Sequence, residues 1–158
     1  MTPLPYRIHL KIAPAYARRA PAALLRAAAR AALTHQNAPV PSDLTVMIAG
    51  DGKLRALNRE FLGHDQPTDV LSFPSVEPHP SSGRIYLGDI AISYPQAAAG
   101  AAAGRHPVRA ELQLLIVHGV LHLLGHDHAK KAEKIRMWAA QAAILGELGA
   151  AITGPAGD

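Results

Sequence analysis

Residues His118 to His128 read H-G-V-L-H-L-L-G-H-D-H, four histidines in eleven positions of a chain without cysteine. Counted from His118, His122 stands at plus four, Gly125 at plus seven and His128 at plus ten. On an α-helix, residues four apart lie on one face about one turn apart, so His118 and His122 present their imidazoles to one point. Gly125 suits the left-handed conformation that ends a helix. The chain then turns back, and His128 reaches the same point as a third ligand. Three neutral imidazoles with a fourth position left to water form a catalytic zinc arrangement rather than a closed structural one. His126, one residue past the glycine, points elsewhere and is read as a non-ligand.

The rest of the chain must supply a frame for that helix. Its 158 residues suit one domain with a real core, here taken as residues 1–158 with the last few flexible. At 49% hydrophobic residues the chain is globular rather than disordered. The net charge of +4 suits an anionic partner such as nucleic acid without requiring one. The missing cysteines exclude disulfides and thiolate metal sites and fit a reducing compartment. The first twelve residues lack the apolar run of a signal peptide, and no run of 18 apolar residues follows, so the expected location is the cytoplasm, without a membrane span.

Tyr6 to Ile12 alternates and reads as a strand. An Ala/Arg/Leu helix is expected over Ala15–His35, with Arg18, Arg19, Arg26 and Arg30 as a solvated basic face. Leu44–Ala49 reads as a buried strand. Asp51 reads as the N-cap of a short helix over Lys53–Leu62. Asp69–Phe73 has strand character and stops at Pro74. Glu77–Gly83 reads as a mobile loop, and Ile85–Ser93 as a strand broken at Gly88-Asp89. Helices are expected over Tyr94–Ala103, Val108–Leu124 and Ala129–Leu148. In the second of these, Leu112, Leu115, Ile116 and Val120 form one buried stripe beside the histidines. Without regular βαβ alternation, this pattern predicts an α+β fold. It is a small mixed sheet of three to four strands packed with four to five helices around a central metal-bearing helix.

The histidine offsets equal those of the metzincin metalloproteases, H-E-x-x-H-x-x-G-x-x-H, with one departure. The glutamate of that pattern, the general base for water on the metal, is Gly119 here. Glycine cannot take a proton. Either another carboxylate serves, or the substrate phosphate does, or zinc's lowering of the water pKa to about 7 suffices.

Two longer blocks give a more specific resemblance. H-G-V-L-H-L-L-G-H-D-H resembles the signature of the YbeY proteins, bacterial endoribonucleases of ribosomal RNA maturation. D-Q-P-T-D-V-L-S-F-P, Asp65 to Pro74, is similar to that family's D-x-P-T-[DN]-V-L-S-F-P. Leu57-Asn58 and Leu87 to Ile90 agree as well, so the resemblance runs from about Leu44 to Trp138. It implies a single α+β domain with one zinc on His118, His122 and His128. It also implies cleavage of single-stranded RNA at the 3′ end of 16S ribosomal RNA and in ribosome quality control, with the ribosome or its proteins as partners. The family pattern usually carries arginine just before the glycine of this block, where this chain has Leu62. Leucine has no donor for a phosphate.

Arg59 and Arg55, one and two turns earlier, are candidates to bring a guanidinium to the cleft instead. Asp69 and Asp89 are candidate acid/base groups, and Asp127 orients a ligand or caps the turn. Lys53 and Arg84 are candidate phosphate contacts, and Ser72 a hydrogen-bonding group in the cleft. Other divalent metals could replace zinc. Two further readings compete: a zinc metallopeptidase-like hydrolase, which Gly119 disfavours, and a weakly catalytic ribosome-associated factor with a structural zinc. Oligomeric state is not readable from the residues.

Overall fold

In the computed structural model, residues 4–75, 83–150 and 152 are described. Along the chain run β1 (Tyr6–Ile12), a 3-10 turn (Pro14–Tyr16), α1 (Ala22–His35), β2 (Ser42–Ala49) and α2 (Asp51–Leu62). Then come β3 (Val70–Pro74), β4 (Ile85–Ser93), α3 (Tyr94–Gly104), α4 (Val108–Leu123) and α5 (Lys131–Leu148). Among the described residues the strands form one sheet in the order β1-β2-β4-β3. β1, β2 and β4 are parallel, while β3 is antiparallel to β4 at the edge. The α+β expectation holds, and the sheet is mixed.

The period of two along the strands divides the sheet into two unequal faces. Leu44, Val46, Ile48, Ile90 and Ile92 are buried in the main core with residues of α1, α4 and α5. On the opposite face Ala49, Leu71 and Ala91 gather a smaller cluster under Leu54 of α2, with Met47, Leu57 and Phe73 at its margin. Among the described residues, helices cover the first face, and α2 packs on the second, at one end.

α4 is the centre of the main core. Leu112, Leu114, Leu115, Ile116, Val117, Val120 and Leu121 are all fully buried, so the helix is enclosed all round and not along the single stripe expected. α1, α3 and α5 pack around it, and the sheet closes the remaining side. Gly119 lies on the sheet side. A Cβ there would sit 2.8 Å from Cγ2 of Ile90, closer than carbon atoms pack.

Several boundaries differ from the sequence reading. The helix expected from Ala15 begins at Ala22, because Pro21 is its N-cap and the segment before it forms the 3-10 turn. Arg26 on α1 donates to the Ile8 carbonyl at 3.2 Å, and Arg19 lies over the Tyr16 and Tyr94 rings. Both are therefore engaged, not simply solvated. Gly50, not Asp51, is the N-cap of α2. The Asp51 carboxylate instead accepts from Ser93 Oγ at 2.6 Å and from Gln96 Nε2 at 3.3 Å, tying α2 to the start of α3. β4 is not broken at Gly88-Asp89. Tyr86 pairs with Asp43 and Gly88 with Leu44, so Leu87 is the extra residue of a bulge. Gly88 has φ 140°, and a Cβ there would lie 2.3 Å from the Phe73 carbonyl oxygen and 2.9 Å from Cδ2 of Leu123. β3 ends at Pro74, α3 at Gly104 and α4 at Leu123, while α5 starts at Lys131. Apart from Gly83, the loop expected over Glu77–Gly83 lies outside the described residues, as do nearly all of the last residues expected to be flexible. Among the described residues, no helix is long and apolar enough to cross a membrane.

Candidate metal centre

The last turn of α4 sets the site. Gly125, at φ 97°, donates to the His122 carbonyl at 3.0 Å, and His126 donates to the Leu121 carbonyl at 2.9 Å. Those two bonds are a Schellman close, which needs the positive φ that glycine takes at no steric cost. The reversal brings His128 back over the helix, where Asp127 Oδ1 accepts from the His128 N–H at 2.7 Å. The coordinating nitrogens of His118, His122 and His128 then lie within 4.8 Å of one another. Burial is graded along the triad: His118 is buried, His122 half-buried and His128 exposed, so the cluster opens to solvent on one side. Trp138 of α5 stands edge-on to both His118 and His128, with ring centroids 5.8 Å away.

The donor set fits a metal ion. His118 Nδ1 lies 3.0 Å from Gln141 Oε1, so Nδ1 carries the proton and Nε2 is left with its lone pair. That Nε2 is 3.1 Å from Nε2 of His122. Four-coordinate zinc with nitrogens about 2.0–2.1 Å away would hold ligand pairs at a similar separation. Burial lowers the pKa of His118, and burial with the two neighbouring imidazoles brings His122 down to about 4. Both rings are thus neutral near pH 7, the form that binds metal. Gln141 is fully buried, and its Nε2 has no partner among the described residues.

Opposite the triad, β3 and the residue before it wall a cleft of about 370 Å³ with Asp69, Val70, Ser72 and Pro74, and Leu62 at its lip. The Asp69 carboxylate accepts from the Val70 N–H at 2.8 Å. Ser72 Oγ donates to the Gly119 carbonyl at 3.4 Å, bridging β3 and the histidine helix. The loop before β3 is held by buried Asn58, whose Nδ2 donates to the Gln66 carbonyl at 2.9 Å. A second hollow of about 710 Å³ continues from the cleft and shares Leu62, Ser72 and Pro74 with it. Asp89 lines that second hollow, not the histidine cleft. Its Oδ1 accepts from the Tyr86 hydroxyl at 2.5 Å, and that hydroxyl lies 2.6 Å from Thr45 Oγ1. Burial, then Asp89, pushes the Tyr86 phenol up to about 12.

The structure does not bring the candidate cations to the histidines. Arg84 is buried, with Nε donating to Asp43 Oδ1 at 2.5 Å and Nη2 to the Ser42 carbonyl at 3.2 Å. It is a strut between β2 and the start of β4, away from both hollows. Arg55 makes a two-point ion pair with Asp65, at 2.8 and 3.2 Å. Arg55, Arg59 and Lys53 are exposed on α2 and none lines either hollow. The position that does reach the cleft is Leu62. His126, read as a non-ligand, bonds Gln36 Oε1 at 2.7 Å through Nε2. The sequence reading missed Gln141. It lies 23 residues beyond His118, and no local pattern marks it.

A histidine triad graded from buried to exposed and lining a cleft defines a class of chains whose site could hold a metal ion with one side open to solvent. The model of the family described as Endoribonuclease YbeY matches residues 12–149. The endoribonuclease YbeY of Roseiflexus castenholzii is 39% identical over 147 residues, 90% of this chain and 92% of that protein. Its counterpart from Chloroflexus aggregans is 43% identical over 135 residues, 81% of this chain and 88% of the relative. The chain belongs to the YbeY endoribonuclease family. The solution structure of a Thermotoga maritima protein shares the fold, with a TM-score of 0.58, 23% identity and 91% of each chain covered.

Proposed function

We propose that the chain is a metal-dependent endoribonuclease for single-stranded RNA, acting in the cytoplasm on the 3′ end of 16S ribosomal RNA and in ribosome quality control. In this reading residues 1–158 work as one hydrolase domain, and its partners are the ribosome or ribosomal proteins. The observation that carries it is the convergence of His118, His122 and His128 opposite Asp69–Pro74, the two motifs that define the family resemblance. Zinc is the proposed ion. When bound, it supplies Lewis acidity toward a phosphoryl oxygen and makes water a better nucleophile. His118 is held in register by Gln141, and His128 by the Schellman turn. Asp69 is the carboxylate placed to orient or accept a proton at the cleft wall, and Ser72 sets β3 against α4. Leu62 leaves the lip without a donor, so the phosphate is held by fewer charge-assisted bonds than an arginine would make.

The test is cleavage of a single-stranded RNA by the native chain and by His122→Ala, each with and without chelator, beside a casein assay. Cleavage by the native chain alone, abolished by chelator, is the expected result. Peptide hydrolysis in place of RNA cleavage, or RNA cleavage that survives both chelator and His122→Ala, would overturn the reading. One zinc per folded native chain and none in His118→Ala is the accompanying expectation, measured by elemental analysis.

A further inference from the structure

The hollow that continues from the cleft has no role in that chemistry. It is the half of the second sheet face that α2 leaves bare. One wall is aromatic: the Phe61 and Phe73 rings pack with centroids 5.2 Å apart and planes tilted 56°. Phe61 is 58% exposed and Leu62, beside it, 55%. Two large apolar side chains open to solvent at one edge of a hollow mark a binding surface. Within this mainly apolar lining, Thr45 and Asp89 supply polar groups, joined to each other through the Tyr86 hydroxyl, and Lys11 adds a cation. Its volume of about 710 Å³ is in the range of small-ligand sites.

Resting on the endoribonuclease reading, we propose that this trough is a nucleobase subsite. It seats one unpaired base of the RNA strand whose phosphate lies over the histidines, with Phe61 as the stacking face. Continuity carries the assignment: Leu62, Ser72 and Pro74 line both hollows, so a strand leaving the cleft along β3 enters the trough directly. The chemistry agrees. A base has an apolar face to stack and a polar edge to hydrogen-bond, and the trough offers an aromatic wall with the Thr45 hydroxyl and the Asp89 carboxylate in its lining. Lys11 matches the strand's phosphates in charge. A base inside a duplex cannot enter, because its face is already stacked and its edge already paired. The trough is thus a physical source of single-strand preference that does not involve the metal.

Binding can be read without cleavage. A labelled single-stranded oligoribonucleotide is titrated with chelated protein at fixed low salt, followed by fluorescence anisotropy. The proteins are the native chain, Phe61→Ala and Phe61→Trp. Phe61 is mostly exposed, so the variants should keep the native circular dichroism and Tm. Removing one stacking ring should weaken binding roughly 5- to 150-fold, and tryptophan should restore it. A series of oligonucleotides with one abasic ribose walked along the strand should show one position with a loss of similar size in the native chain. Phe61→Ala should no longer feel that position. Affinity of Phe61→Ala within twofold of native overturns the subsite. So do abasic losses equal in native and variant, or a change of oligomeric state as the only effect of Phe61→Ala, which would assign the trough to a second copy of the chain. If the native chain cleaves no RNA but the coupling between Phe61 and one base is present, the nuclease reading fails and the subsite stands. If the chain cleaves RNA and the coupling is absent, the nuclease reading stands and the subsite fails.

Discussion

Gly119 occupies the position of the metallopeptidase base, and the packing explains why a side chain there is not a simple restoration. α4 lies so close to β4 that a Cβ at 119 would be 2.8 Å from Cγ2 of Ile90 and 3.1 Å from both Cγ1 and Cδ1. Ile90 is fully buried and cannot swing into solvent. Overpacking of this kind costs about 1–3 kcal/mol, against about 1 kcal/mol gained by replacing a helical glycine with alanine. Gly119→Ala should therefore be destabilised by about 0–2 kcal/mol, lowering Tm by up to about 8 °C for a chain of this size. Ile90→Ala alone should cost about 2–5 kcal/mol through the cavity it leaves. In the double variant the new methyl partly fills that cavity, so the two changes should couple favourably by about 1–3 kcal/mol. Urea unfolding of the four proteins measures the cycle. Additivity within about 0.5 kcal/mol, or a Gly119→Ala chain more stable than native, would refute the close approach. By the same geometry Gly119→Glu should destabilise the fold further and yield no peptidase activity, because the stem of that side chain would be aimed at the sheet.

Leu62→Arg returns a fork of donors to the lip of the cleft and should raise RNA cleavage several-fold, with Tm unchanged; an unchanged rate would show that another group holds the phosphate. Gln141→Leu removes the acceptor that fixes the His118 tautomer and should weaken zinc binding about 10- to 100-fold, read by competition with a chromophoric chelator, while the fold is kept because the orphaned Gln141 amide goes too. Saturating zinc should raise Tm in the native chain and not in His122→Ala, since an ion that binds only the folded state stabilises it. Burial pushes the Asp43 carboxyl up, but hydrogen bonds from His9 and Arg84 more than offset this and hold it below its usual 3.8. A depressed carboxylate stabilises the fold above its unfolded value and loses that contribution as pH falls through the folded one. Asp43→Asn should therefore be less stable than native at pH 7, with the gap closing below pH 3.8 in urea titrations.

The site was legible where the chemistry is local. His118, His122, Gly125 and His128 reveal themselves through helical period and one turn, and Asp65–Pro74 is a contiguous motif. The α+β class followed from the alternation in Tyr6–Ile12 and the helical segments. What stayed hidden depends on partners far along the chain. Arg84 reads as a free cation until Asp43, 41 residues earlier, is placed beside it. Arg55 looks able to serve the cleft until the loop returns Asp65 to it. The single stripe expected on α4 failed because Leu114, Val117 and Leu121 are as apolar as the stripe itself, and only tertiary packing decides how many sides of a helix are covered. Gln141 stands between Ala139-Ala140 and Ala142-Ala143 on α5, and its meaning comes wholly from the ring it faces.

Gly88 does for the cleft what no reactive group could. It is the point where the carbonyl of Phe73 on β3, the bulge of β4 and Leu123, next to His122, come together with no room for one more carbon. Both walls of the cleft are thereby gauged from a single atom that is missing. Even a one-methyl substitution at Gly88 would wedge β3 from β4 and press on the histidine helix at once, widening the aperture by a distance that no change in the histidines could correct. The most fragile residues of this site therefore include ones without a side chain, and a search for function by reactive groups alone passes over them.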